Sequence, residues 1–77
     1  MKLFITDIDG YTETMKNVKR VIIKKENRKE ILVIEYSDYI AIGDMNYTGI
    51  AEIPLKDIQQ VFLVNMETME EYFRYEK

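Results

Sequence analysis

Residues 4–12 read FITDIDGYT, and this stretch decides the fold because Asp9 and Gly10 separate two segments rich in β-branched and aromatic residues. An Asp-Gly pair in that setting favours a two-residue type I′ hairpin, since glycine readily takes a positive φ and aspartate tolerates one. The stretch therefore predicts antiparallel strands over residues 2–8 and 11–15. The pairs expected across this hairpin are Ile8 with Tyr11, Thr6 with Glu13, and Phe4 with Met15.

Strand signals continue along the chain. Residues 18–25 and 30–36 predict two strands joined by residues 26–29, and residues 31–34 are apolar on both faces, as in a central strand. Further strands are expected over residues 39–43, 50–53 and 58–64. They are separated by a turn at Ser37 and Asp38, a polar loop over residues 44–49, and a tight helical turn begun by Pro54, whose ring fixes φ.

The last dozen residues predict a helix. Asn65 is a good N-cap residue, and Met66, Met69 and Phe73 fall at i, i+3 and i+7 of a helix over about residues 66–75. The whole pattern predicts an α+β, mostly β fold in one domain, residues 1–77. We expect a small, strongly bent antiparallel sheet or barrel-like domain with this C-terminal helix packed on it or closing its end.

The composition narrows the chemistry. The 77 residues include no cysteine and no histidine, which excludes disulfides, thiolate ligands and histidine bases. The longest apolar runs, residues 31–34 and 61–64, are far too short to span a bilayer, and the N-terminus lacks the pattern of a signal peptide. We therefore expect a cytoplasmic protein that binds no membrane, metal or cofactor.

The strand leading into Asp7-Ile8-Asp9-Gly10 resembles the first motif of the haloacid dehalogenase superfamily of phosphotransferases. The resemblance implies Asp7 as the nucleophile and Asp9 as the acid and base beside a Mg²⁺ ion. It covers about nine residues, Tyr11 stands where the family has threonine, and a strand is predicted where the family has a helix. Phosphoryl transfer also needs further groups from a much longer chain. We therefore expect no catalytic residues, with a metal-dependent phosphotransferase as a remote alternative and a weak cation site at Asp7 and Asp9 left open.

Charge is segregated along the chain, whose net charge is −3. Residues 16–29 hold seven bases and one acid, whereas residues 30–77 hold three bases and ten acids. A basic hairpin of this kind can follow a phosphate backbone, dock an acidic protein, or keep an edge strand solvated. No aromatic residue lies between Lys16 and Ile31 to stack on bases. The expected binding residues of the hairpin are Lys19, Arg20, Lys24, Lys25, Arg28 and Lys29.

Three tyrosines, Tyr36, Tyr39 and Tyr47, fall near the predicted turns and complete the expected binding surface, because tyrosine is enriched at binding hot spots. Core-edge packing is the alternative role for them.

The sequence thus predicts a small non-enzymatic protein-binding domain. In general character the chain is similar to accessory proteins of bacteriophages and mobile elements, which often block a host enzyme by binding it. This implies an inhibitor of a defence or nucleic-acid-processing enzyme that acts by occlusion. The alternative is a nucleic-acid-binding β-domain that uses the basic hairpin, and an exposed sheet edge would also allow a homodimer.

Overall fold

The computed structural model describes residues 1–40 and 45–77, and the side chains of residues 1–37 and 48–77. Seven strands form two antiparallel sheets. The strands are β1 (Lys2–Asp7), β2 (Thr12–Met15), β3 (Val18–Glu26), β4 (Lys29–Ile40), β5 (Met45–Pro54), β6 (Ile58–Val64) and β7 (Glu71–Glu76). A single 3-10 turn, Leu55–Asp57, joins β5 to β6 directly after Pro54, as predicted.

The two sheets share one hydrophobic core. The four-stranded sheet has the order β2-β1-β6-β7, and the three-stranded sheet has the order β3-β4-β5. Alternate residues of each sheet point inward, because successive side chains of a strand lie on opposite faces. The buried residues are Leu3, Ile5, Ile58, Val61 and Leu63 of the first sheet, Val18, Val21, Leu32 and Ile34 of the second, and Leu55 of the connecting turn.

The mostly β, antiparallel architecture is confirmed, but the predicted C-terminal helix is wrong. Asn65 does cap a turn, since its side-chain oxygen accepts hydrogen bonds from the backbone N–H of Glu67 and Thr68. The turn stops at Met69, which has a φ of 62°. The chain then returns as β7, because Phe73 and Tyr75 pack on the core at a spacing of two. The methionines that suggested a helical stripe are exposed by 49% at Met66 and 68% at Met69.

The first hairpin forms where predicted, but its register differs by one residue. Thr6 pairs with Thr12, Phe4 with Thr14, and Leu3 with Met15. The connection is a three-residue loop instead of two: the N–H of Gly10 donates to the Asp7 carbonyl, and Gly10 takes a φ of 91°. A type I turn followed by a left-handed glycine is the usual form of this loop. The shift puts Met15 beside the core and Thr12 and Thr14 on the outer face.

Two further predictions about the second half of the chain are wrong. The turn expected at Ser37 and Asp38 lies inside β4, which runs on to Ile40, and most of the expected polar loop belongs to β5, which begins at Met45. Residues 41–44 of the predicted segments lie outside the described residues. The long pairing is favoured by the β-branched and aromatic residues of both strands, which are most frequent in β4. No helix within residues 1–40 and 45–77 is long and apolar enough to cross a bilayer.

Candidate functional site

The basic hairpin of the sequence analysis is the β3–β4 hairpin. Its turn is tighter than predicted: the strands extend to Glu26 and Lys29, which pair directly, and only two residues connect them. Asn27 and Arg28 have φ values of 50° and 65°. Two successive left-handed residues define a type I′ turn, which matches the twist of its flanking strands. The turn therefore holds β3 in a fixed register on β4.

Strand alternation places Arg20 and Lys24 on the outer face of the three-stranded sheet, opposite the core. We call this surface the outer face of the β3-β4-β5 sheet. The pairing register places the neighbours on this face. Between β3 and β4, Lys24 pairs with Ile31, Ile22 with Val33, and Arg20 with Glu35. Between β4 and β5, Val33 pairs with Glu52, and Glu35 with Ile50. The residues of this face are Arg20, Ile22, Lys24, Ile31, Val33, Glu35, Ile50 and Glu52.

The cations of this face are paired with carboxylates. Arg20 Nε lies 3.3 Å from a carboxylate oxygen of Glu35. Lys24 Nζ lies 3.2 Å from Glu52 and 3.3 Å from Glu26. Hydrogen bonds to Glu52 and then to Glu26 raise the pKa of the Lys24 ammonium above its usual range. A phosphate group would have to compete with these carboxylates for Arg20 and Lys24.

Aliphatic side chains occupy the centre of the same face and stay open to solvent. Ile22 is 40% exposed and Ile50 is 66% exposed, with the half-buried Val33 between them. The sequence-based prediction missed these residues because it was drawn from the cations and tyrosines. The alternation of Arg20, Ile22 and Lys24 on one face of β3 carried the signal, but the neighbours on β4 and β5 depend on the pairing register.

The remaining basic residues of the hairpin lie around this face. Lys25, Arg28 and Lys29 are exposed and form no ion pair with any other described residue. Lys19 sits at an irregularity of β3 between Val18 and Arg20, and its Nζ donates to the Thr48 hydroxyl of β5 at 3.1 Å. The cations of the hairpin therefore differ: two are paired on the sheet, one is hydrogen-bonded, and three lie at the end of the hairpin.

Of the three tyrosines predicted for the binding surface, Tyr36 is the one whose side chain the structure describes. Tyr36 points inward, where it packs against the core and lies over the Gly49 backbone on β5. It therefore lies on the face opposite Arg20 and Lys24 and has the alternative, core-edge role. Tyr39 and Tyr47 pair across β4 and β5 with Asn46 and Asp38, respectively, but their side chains lie outside the described residues.

The other sheet carries a different outer face, which the sequence did not predict. Phe4 and Phe62 pair across β1 and β6, and each ring is covered by a cation. Lys2 Nζ lies 5.3 Å from the Phe4 ring centre, and the Arg74 guanidinium lies 4.5 Å from that of Phe62. Arg74 is itself held by hydrogen bonds to Glu71 and Glu76. The long cationic side chains thus cover the aromatic surface.

The Asp7 carboxylate serves the hairpin turn. Its Oδ1 accepts hydrogen bonds from the backbone N–H of Asp9 at 2.9 Å and of Tyr11 at 3.0 Å. This is an Asx turn, the local role that aspartate often takes. Strand β2 follows Gly10 after one residue, in the position where the phosphotransferase motif has a helix. The described residues contain no group of three or more acidic side chains arranged to hold a metal ion.

Comparison of the chain with protein-family models, with curated proteins and with solved structures gave no match.

Proposed function

We infer that the chain is a small protein-binding domain whose partner docks on the outer face of the β3-β4-β5 sheet. The observation that carries this proposal is the exposed aliphatic strip of Ile22, Val33 and Ile50 on a sheet face that no other described element covers. Interfaces between proteins concentrate apolar side chains at their centre and place charged groups at the rim. The ion pairs Arg20–Glu35 and Lys24–Glu52 flank the strip in that way.

The charge pairing favours a protein over a nucleic acid on this face. Binding to phosphates depends on cations that can neutralise them, and the affinity then falls steeply with salt. Here Arg20 and Lys24 already contact carboxylates. The half-buried phenylalanines, which could stack on bases, lie on the other sheet. The nucleic-acid alternative therefore rests on Lys25, Arg28 and Lys29 at the end of the hairpin.

The proposed mechanism is occlusion: the chain covers part of its partner and contributes no reacting group. The general character of the sequence suggests that the partner is a host defence or nucleic-acid-processing enzyme, which the chain inhibits. A hydrogen-bonded sheet face suits this role because little backbone order has to be gained on binding. The proposal includes that the chain is not an enzyme.

The test uses a photo-crosslinking residue at position 50 to identify the partner, followed by titration of the purified partner with variants. We expect Ile50→Asp to weaken binding by more than tenfold, because a charge would be buried at the centre of the interface. Ile8→Asp is the matched control, since Ile8 is 54% exposed in the loop of the β1–β2 hairpin and lies outside the face. Equal loss with both variants, or no loss with either, would contradict the proposal.

A second titration separates the nucleic-acid alternative. Single-stranded and double-stranded oligonucleotides are titrated against the wild-type chain and against Arg28→Glu combined with Lys29→Glu. We expect no salt-dependent complex with either oligonucleotide. A complex that weakens steeply with salt and is lost in the double variant would favour the alternative.

A further inference from the structure

The edge of the three-stranded sheet beside the proposed docking face has unpaired backbone groups. Strand β3 has β4 as its one neighbour in the sheet order β3-β4-β5. Glu26 and Lys29 flank a two-residue type I′ turn, so they form a hydrogen-bonded pair. Hydrogen-bonded and non-hydrogen-bonded pairs alternate along an antiparallel ladder. The N–H and C=O groups of Lys24 and Ile22 therefore point toward β4. Those of Val21, Ile23 and Lys25 point away from the sheet.

These outward groups have no backbone partner among the described residues. Among the described residues, the backbone contact on this side of β3 is at its start, where the Val18 N–H donates to the Met1 carbonyl at 2.9 Å. Residues 21–25 therefore present three donors and three acceptors in a straight row. We call this row the β3 edge. Such a row can pair with an extended segment of another chain, a recognition mode called strand addition.

The side chains beside the β3 edge specify the kind of segment that fits. Four cations lie along β3: Arg20 and Lys24 are paired with carboxylates of their own chain, whereas Lys19 and Lys25 form no ion pair with any other described residue. Between the cations, Ile22 is 40% exposed on the outer face and Ile23 is 37% exposed on the other. Opposite charges directly across two strands are favourable, and like charges are unfavourable. The matching segment has acidic residues at its ends and β-branched apolar residues in the middle.

The same charges disfavour pairing between two copies of this chain. Two β3 strands side by side would bring together two segments that each hold four cations and one carboxylate. Lysine on edge strands is a common protection against such pairing. An acidic strand would relieve the repulsion, so the edge discriminates between a second copy and an acidic partner.

We propose that the partner adds an extended acidic segment to the β3 edge, continuing the β3-β4-β5 sheet by one strand. This inference rests on the proposed protein-binding function and names the part of the partner that binds. The added strand lies next to Ile22, so its outward side chains extend the apolar strip of the docking face. Backbone hydrogen bonds provide the alignment, and Lys19 and Lys25, which form no ion pair with another described residue, provide the charge preference.

The probe is a synthetic peptide with the sequence Glu-Glu-Val-Val-Val-Glu-Glu and blocked ends, titrated against the full chain. The first control is the same peptide with lysine in place of each glutamate. The second is the acidic peptide with alternate backbone amides N-methylated, which removes the donors that strand addition needs. We expect the acidic peptide to bind at least tenfold more tightly than either control.

Two variants of the chain separate backbone pairing from charge. Lys25→Pro removes one outward N–H, and proline is tolerated on the open side of an edge strand. Lys25→Ala removes the same charge but keeps the N–H. We expect at least a tenfold loss of acidic-peptide binding for Lys25→Pro and a loss of only a few-fold for Lys25→Ala. Circular dichroism spectra and melting curves of the two variants establish that both are folded.

Reversing the charges of β3 tests the charge preference separately. In a chain with Lys19→Glu and Lys25→Glu, the lysine peptide should bind more tightly than the acidic peptide. Equal loss in Lys25→Pro and Lys25→Ala, or equal binding of the acidic and N-methylated peptides, would overturn strand addition. Failure of the acidic peptide to bind would overturn it as well. The docking face would then still be tested separately by Ile50→Asp against the purified partner.

Discussion

The outer faces of the two sheets both carry apolar side chains, but their cations lie in different places. On the four-stranded sheet, Phe4 and Phe62 are covered by Lys2 and Arg74, and Arg74 is fixed by two glutamates of its own strand. On the three-stranded sheet, Arg20 pairs with Glu35 on the adjacent strand β4, and Lys24 reaches across β4 to Glu52 on β5. Ile22 and Ile50 stay exposed.

The difference indicates which face is available for binding. Long cationic side chains can cover apolar surface while their charged ends stay in water. The chain uses this device over the Phe4 and Phe62 rings. On the other sheet Lys24 crosses β4 to reach Glu52, but Ile22 and Ile50 remain exposed. Exposed aliphatic side chains between ion pairs are the composition expected of a docking surface.

The largest effect is expected from Leu32→Ala, because Leu32 is fully buried on the central strand β4. The loss of buried apolar surface and the cavity left behind should lower the free energy of unfolding by about 2–5 kcal/mol. Val33→Ala, on the outer face of the same strand, should cost less than about 1.5 kcal/mol. Urea unfolding followed by circular dichroism measures both. Equal losses would show that the outer face is as buried as the core.

Gly49→Ala should lower the free energy of unfolding by about 1–3 kcal/mol, the usual cost of overpacking. A Cβ at this position would overlap the Tyr36 ring, which lies over the glycine. The loss should shrink when Tyr36 is replaced by alanine, so a double-mutant cycle should give a clear coupling energy. The neighbouring change Ile50→Ala, on the outer face, should leave stability nearly unchanged. Additive losses at Gly49 and Tyr36 would mean that the two do not touch.

Asp7→Ala should lower the free energy of unfolding by roughly 1 kcal/mol, since it removes the acceptor of two backbone hydrogen bonds. This turn fixes the β1–β2 register and therefore the position of Phe4 on the outer face. Asp7→Asn keeps an acceptor and should cost less, and Asp9→Ala should have little effect because no other residue bonds its side chain in the described structure. Thermal or urea unfolding of the three variants gives the ranking.

The smallest effects on stability are expected from the exposed charges. Those of the three-stranded sheet should appear at alkaline pH, and those of the four-stranded sheet at acidic pH. The pKa of Lys24 is raised, so its contribution to stability is present below the usual lysine pKa of about 10.4 and is lost as the pH rises through the folded value. The pKa of Glu71 is lowered by its hydrogen bond with Arg74. Its contribution is present above the usual glutamate pKa of about 4.3 and is lost as the pH falls through the folded value.

Matched variants assign these pH effects. Lys24→Met should remove the alkaline part of the stability profile, and Glu71→Gln should remove the acidic part. Both effects should be small and weakened by salt, because the groups are exposed. A large alkaline effect that survives in Lys24→Met would show that another group dominates.

The sequence predicted the strands well where local signals agreed with the final pairing. Asp9 and Gly10 marked the first hairpin, and Pro54 marked the single turn of helix. The hairpin register could not be read from these letters alone. Asp-Gly suits both a two-residue and a three-residue loop, and the Asx turn of Asp7 together with burial of Leu3 against Met15 decides between them.

The missed features depend on distant parts of the chain. Asn65 started a turn as its propensity predicts, but pairing with β6 turned residues 71–76 into a strand, an example of tertiary contacts overriding local preference. The alternation of Arg20, Ile22 and Lys24 in the sequence indicates the β3 part of the docking face. Its other half comes from Glu35, Ile50 and Glu52, whose positions follow only from the β4–β5 register.

Amide hydrogen exchange of β3, followed by nuclear magnetic resonance, tests the central claim most directly. In the free chain, the amides of Ile22 and Lys24 should be protected, while those of Val21, Ile23 and Lys25 should exchange fast. Saturation with the acidic peptide should protect the second group and leave the four-stranded sheet unchanged. Uniform protection along β3 in the free chain, or new protection that appears around Phe4 and Phe62 instead, would contradict the account.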